Sequence, residues 1–87
     1  MFSSRSPVLN VHGETRDTVV FVLNDFINDN VKLENEYIGV IHGISSNILK
    51  NRIHELLKCN RNVDSFRINI WNPGMTIIKL KIKANLN

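Results

Sequence analysis

A two-layer α+β sandwich, with elements in the order β-α-β-α-β-β, is the fold class this sequence predicts. Three observations predict it. Two segments carry apolar residues at helical spacing, two later segments alternate apolar and polar residues around a strong turn, and two short apolar runs each end in His-Gly. The 87 residues suffice for one domain with a small core, burying roughly 60–65% of the unfolded surface.

Residues 1–7 read as a mobile N-terminal arm, residues 8–83 as the single domain, and 84–87 as a tail. Val8 to His12 is short, apolar and alternating, a strand that Gly13 ends. Thr15 follows as a helix N-cap, because its hydroxyl can accept an orphan backbone N–H. Val19, Leu23, Phe26 and Ile27 then form the buried stripe of a helix fading near Asn30, and Asp17 complements its dipole. Tyr37 to Ile41 is continuously apolar, as a central strand buried on both faces should be, and Gly39 within it marks a close approach. His42-Gly43 ends that strand. Ser45 or Ser46 caps a second helix running to about Cys59, with Leu49, Ile53, Leu56 and Leu57 inward. Val63 to Trp71 alternates, with Phe66, Ile68 and Ile70 on one face. Asn72-Pro73-Gly74 is a turn, and Met75 to Lys83 alternates again with Ile78, Leu80 and Ile82 on one face. Together they make a hairpin. With both helices on one side of the sheet, the other side is open and carries Arg67, Trp71, Lys79 and Lys81 on its surface or edge.

Composition narrows the function classes. One cysteine, Cys59, excludes an internal disulfide and fits a reducing cytoplasm. No apolar run is long enough to span a membrane, so a cytoplasmic location with no membrane partner is expected. Charge is divided. Residues 14–36 hold six acids against Arg16 and Lys32, while residues 37–87 hold eight bases against Glu55 and Asp64. A basic second half suits a polyanionic partner; a solvated surface with chance clustering is the plainer account.

The chemistry-bearing pattern is the repeated strand-His-Gly-helix: His12-Gly13 and His42-Gly43. Parallel strands of a βαβ unit end on the same side, where open α/β sheets bind ligands. Helix starts there offer free N–H groups to phosphate, and an imidazole can move a proton near neutral pH or donate to a phosphate oxygen. Two such ends suit a phosphodiester, whereas each histidine taken alone would more often just bond to nearby backbone. Lys50 and Arg52 flank the second turn. No acid or cysteine stands at metal-ligand spacing from these histidines. His54 falls among polar neighbours and reads as surface, and Cys59 as a half-buried helix end. Neither a nucleophile elbow nor a Gly-rich phosphate loop occurs. The basic stripe Lys79, Lys81 and Lys83, with Trp71 and Arg67, suits nucleic-acid backbone and a stacked base, or equally an exposed strand guarded against sheet pairing.

Leu9-Asn10-Val11-His12-Gly13 resembles the LDxHG motif that opens Smr (small MutS-related) domains. His42-Gly43-Ile44-Ser45-Ser46-Asn47-Ile48-Leu49-Lys50 resembles that family's second motif, HGxGTGxLR. Thr15 matches the helix-opening threonine, and the resemblance runs over about residues 8–82. It implies a four-stranded mixed sheet with two helices, similar to the C-terminal domain of a bacterial translation initiation factor, and a domain that binds DNA or RNA and in several members nicks it. Carried over, Asn10 and His12 are the catalytic candidates. His42, Gly43, Ser45, Ser46 and Lys50 are the binding candidates, with Arg52 beside them. The sequence departs from the motifs at four places. Asn10 replaces the acid and cannot act as a general base; Glu14 and Asp17 are the nearest carboxylates. Ser45 and Asn47 replace glycines, and Lys50 replaces an arginine, keeping charge without the bidentate fork. The readings that follow are a nucleic-acid-binding domain with residual endonuclease activity through His12, aided by a divalent cation such as Mg²⁺ or Mn²⁺, and a catalytically silent adaptor docking on RNA or a protein partner.

Overall fold

The computed structural model describes residues 1–44 and 47–82. Its elements are β1 (Val8–Asn10), α1 (Thr18–Lys32), β2 (Tyr37–Ile41), α2 (Asn47–Lys58), β3 (Val63–Ile68) and β4 (Met75–Leu80). The strands form one sheet in the order β1-β2-β4-β3. β1 runs parallel to β2, while β4 is antiparallel to both β2 and β3, so the sheet is mixed. The core lies between the sheet and the helices. Val19, Leu23 and Ile27 from α1 and Ile53 and Leu57 from α2 pack on Ile38, Val40, Ile78 and Leu80. These positions repeat every three or four residues on the helices and every second residue on the strands, so each element turns one apolar face inward.

Thr15 caps the first helix as expected. Its hydroxyl accepts the Thr18 N–H at 3.1 Å, the Thr18 hydroxyl accepts the Thr15 N–H at 2.8 Å, and the Thr15 carbonyl accepts the Val19 N–H at 2.9 Å. Asp17, just before α1, makes no cap hydrogen bond. The helix runs past Asn30 to Lys32. There the buried Asn30 side chain donates to the Phe26 carbonyl and accepts from Asn35, closing the helix end internally.

Three strands are shorter than the alternation suggests, and two of them stop where an asparagine captures the backbone. β1 stops at Asn10, whose Oδ1 accepts the His12 N–H at 2.9 Å. β3 stops at Ile68, and just beyond it Asn69 Oδ1 accepts the Trp71 N–H at 2.8 Å. Ile70 is therefore outside the strand and 76% exposed rather than on its inner face. β4 stops at Leu80. Cys59 is exposed, not half-buried. The serine cap of the second helix and Lys83 with the tail lie outside the described residues.

On the side away from the helices, Tyr37, Lys79 and Ser65 form one cross-strand row, and Gly39, Ile77 and Arg67 the next. The Phe2 ring lies across this face. A Cβ built at Gly39 would sit 3.0 Å from two Phe2 ring carbons and 3.2 Å from Met75 Sδ. The close approach foreshadowed by Gly39 is thus an aromatic side chain from the N-terminal segment.

Candidate nucleic-acid interface

The two His-Gly turns stand next to each other at the ends of the parallel pair. Asn10 is in register with Ile41, and the Val11 N–H donates to the Ile41 carbonyl at 3.0 Å one step further on. Gly13 has φ 92° and Gly43 φ 85°. Both backbones are left-handed, a conformation L side chains seldom adopt, so glycine is required at each.

The first turn is open. Asn10 fixes its backbone through the His12 N–H, and the Glu14 N–H returns to the Val11 carbonyl at 2.9 Å. His12 itself is exposed, and its ring makes no hydrogen bond among the described residues. Neither Glu14 nor Asp17 forms an ion pair or hydrogen bond with the His12 ring among the described residues.

The second turn is closed. The His42 and Gly43 N–H groups both donate to the Gly74 carbonyl, at 2.8 and 3.0 Å. Gly74 is buried, and a Cβ on it would lie 3.3 Å from the Gly43 backbone, so the β3–β4 loop is locked onto the turn. His42 is only 8% exposed. Its Nδ1 is 2.9 Å from the Gly43 carbonyl, which can only accept, so Nδ1 carries a proton. In the neutral ring Nε2 is then an acceptor, and it lies 2.9 Å from Thr76 Oγ1. The Thr76 hydroxyl donates to His42 and accepts from His54 Nε2–H at 2.7 Å. One hydroxyl thereby ties two imidazoles together. Their rings meet edge to face at 6.1 Å, and Phe66 packs on His54 at 4.9 Å. Burial lowers the pKa of His54, and His42, Lys50 and Lys58 reinforce the shift.

His54 is therefore not a plain surface residue. It lies four residues beyond Lys50, flanking the buried Ile53–Leu57 stripe. Thr76 was legible by parity, two residues before Ile78 and four before Leu80 on the inward face, where a hydroxyl needs a partner.

The remaining candidates divide. Lys50 is half-buried on α2 and forms no ion pair among the described residues. Arg52 is occupied: Nη1 lies 3.4 Å from Glu55 Oε1 and Nε donates to the Arg16 carbonyl at 3.4 Å, with Arg16 Nη2 3.9 Å from the same Glu55 oxygen. That cluster joins α2 to the segment leading into α1. Ser45 and Ser46 lie outside the described residues. The arrangement offers an exposed imidazole beside a rigid turn whose own histidine is committed internally, with a lysine following.

A family model for the Smr domain matches residues 9–81. Among curated proteins, the endonuclease MutS2 of Geobacillus thermodenitrificans is 30% identical over 76 residues, and that of Caldanaerobacter subterraneus is 30% identical over 80. These matches take in 84% and 88% of this chain but 10% of each relative, so the chain spans about a tenth of their length. Among solved structures, the Smr domain of Thermus thermophilus MutS2 superposes with a TM-score of 0.82 at 19% identity, over 86% of this chain and 98% of that one. The stand-alone small MutS-related protein YdaL of Escherichia coli superposes with a TM-score of 0.81 at 16% identity, over 88% of this chain and 66% of YdaL. At those identities the structural likeness speaks for the fold. No helix among the described residues is long and apolar enough to cross a membrane.

Proposed function

The chain belongs to the Smr domain family, and from that premise we propose that it binds nucleic acid, DNA or RNA, on the face where β1 and β2 end. The observation that carries the reading is the paired turns: two left-handed His-Gly ends side by side, the second braced by Gly74, Thr76 and His54. The bracing holds the second turn rigid beside the first, and because its His42 and Gly43 N–H groups are taken up by the Gly74 carbonyl, contact with phosphate falls to side chains. Lys50 supplies charge, and exposed His12 contacts the phosphodiester directly. His42 works through the turn it holds rather than by touching the ligand. Arg52, held by Glu55, contributes less than Lys50.

A second reading is a weak nicking endonuclease. It is favoured by the exposed His12 ring and the Asn10–His12 hydrogen bond, which keeps the motif's backbone form without its carboxylate. His12 would move the proton, and among the described residues no general base or charged partner bonds to its ring. The residues do not fit a ready-made Mg²⁺ or Mn²⁺ site: among those described, no group of three His, Cys, Asp or Glu converges, and Asn10 Oδ1 is already engaged. No step is assigned to a metal.

The test incubates the protein with labelled supercoiled DNA and with structured RNA, with and without Mg²⁺ or Mn²⁺, beside His12→Ala and Lys50→Ala. The expected result is a salt-sensitive complex without products, its salt slope reduced by about one in Lys50→Ala. Products that vanish in His12→Ala would establish the nicking reading. Absence of both complex and product would overturn nucleic-acid binding and leave an adaptor for a protein partner.

A further inference from the structure

We infer that the open sheet face is a second contact surface, taking an unpaired nucleic-acid strand whose bases stack on aromatic side chains. The inference rests on the nucleic-acid reading above but concerns a different part of the molecule. A groove of about 550 Å³ runs over this face, and Phe2, Tyr37, Trp71, Arg67 and Lys79 line it. No carboxylate lines it. Trp71 is 88% exposed, yet it does not hang on a slack loop. Asn69 Oδ1 holds its N–H at 2.8 Å, and the Asn69 and Met75 N–H groups close the loop on the Met75 and Asn72 carbonyls at 2.9 and 3.0 Å. The loop backbone beneath the ring is thus already ordered, and a two-torsion aromatic side chain loses little entropy when a planar partner covers it.

Charge and shape choose the occupant. Arg67 is exposed and forms no ion pair among the described residues. Lys79 meets only Asp64, at 3.9 Å with both side chains well exposed, a pair weak enough to be exchanged for phosphate. Two cations among three aromatic rings match a backbone carrying one charge per nucleotide with bases turned outward. A duplex hides its base faces and cannot use the rings. A second copy of this chain pairing through a two-fold axis would bring the same cations against each other. The loop from Asn69 to Gly74 joins the two surfaces: Trp71 borders the groove, and Gly74 braces the second His-Gly turn.

The chain has a single tryptophan, so its emission reports on the groove directly. The protein is titrated with unlabelled oligo(dT) ten nucleotides long, and affinities for a fluorescein-labelled version and for a labelled blunt duplex are measured by anisotropy. Expected results are quenched Trp71 emission and a loss of about 5- to 100-fold in single-strand affinity for Trp71→Ala, with recovery in Trp71→Phe. Duplex affinity should be unchanged in both variants, and Lys50→Ala should weaken the duplex. Single-strand binding that is unaltered by Trp71→Ala and by Arg67→Ala would overturn the inference while leaving the strand-end reading intact. Equal quenching by polyglutamate would overturn it as well, showing that the groove responds to charge alone. Failure of the parent protein to bind either nucleic acid would remove the underlying reading and this inference with it. Circular dichroism of each variant verifies the fold.

Discussion

The two His-Gly turns share a dipeptide, a place at the end of a parallel strand and a left-handed glycine, yet their histidines have opposite surroundings. His12 is exposed, with a free ring. His42 is buried, with both nitrogens engaged. The difference arises from neighbours rather than from the motif. β1 is the sheet's edge, so no further strand lies beyond it to cover His12. β2 is flanked by β4, whose Thr76 meets His42 and whose preceding Gly74 carbonyl takes two N–H groups. A repeated motif in one small domain therefore leaves one histidine open to solvent and builds the other into the structure.

His42→Ala strikes the built half and should have the largest effect. It removes a buried ring and leaves Thr76 short of a partner, for a loss of about 2–4 kcal/mol in urea unfolding. Thr76→Val keeps the shape and deletes the hydroxyl. The His42 Nε2 acceptor and the His54 Nε2–H donor lose their common partner, at a cost of about 1–3 kcal/mol. Nitrogen NMR of the imidazoles should show His42 protonated at Nδ1 in both proteins, since the Gly43 carbonyl still takes that proton, with the Nε2 signal shifted in the variant by loss of its hydroxyl donor. A parent spectrum with His42 protonated at Nε2 would contradict the network.

On the open half, Asn10→Ala should cost about 0.5–1.5 kcal/mol, the worth of one hydrogen bond to the His12 N–H. Asn10→Asp keeps an acceptor there, so its stability should match the parent. It also restores the acid of the family motif, and if its absence limits cleavage, nicking activity should rise in this variant alone. His12→Ala should shift stability by less than about 0.5 kcal/mol while weakening binding. Equal destabilisation by His12→Ala and His42→Ala would erase the contrast.

Acid separates the halves as well. The pKa of His54 is lowered in the folded chain, first by burial and then by nearby positive charges. The unfolded chain thus holds more protons as pH falls below the ordinary histidine value of about 6.5. The stability from keeping His54 neutral is complete above that value and declines as pH drops toward the folded-state pKa. Thermal unfolding from pH 7.5 to 5 should show this decline, reduced in His54→Gln.

Much of the architecture was readable because it rests on period. The core positions Val19, Leu23, Ile27, Ile53 and Leu57 of the helices and the inward Ile78 and Leu80 of β4 follow from spacing alone, and the His-Gly pair located the strand-end face. Strand ends were less legible. Alternation continues through Ile70, but Asn69 uses its side chain to hold the Trp71 N–H, and the chain turns out before the pattern does. The His42–Thr76–His54 link was missed because its members are 22 and 34 residues apart, and no local period records a hydrogen bond across three elements. The setting of Arg52 is only half local: its partner Glu55 is three residues on, but the Arg16 carbonyl that completes it belongs to another segment.

The last strand of the sheet is one of its two inner strands. β4 lies between β2 and β3, so before it is made β3 has no partner and β2 is paired on its β1 side alone. During synthesis a ribosome releases β1, α1, β2, α2 and β3 first, and their inward faces wait uncovered until Leu80 emerges. The wait exposes Ile38 and Val40 on an unpaired strand edge, the kind of surface that chaperones hold and that neighbouring nascent chains can capture. Slowing translation within residues 75–80 should lengthen that interval, and soluble yield in cells would be its readout.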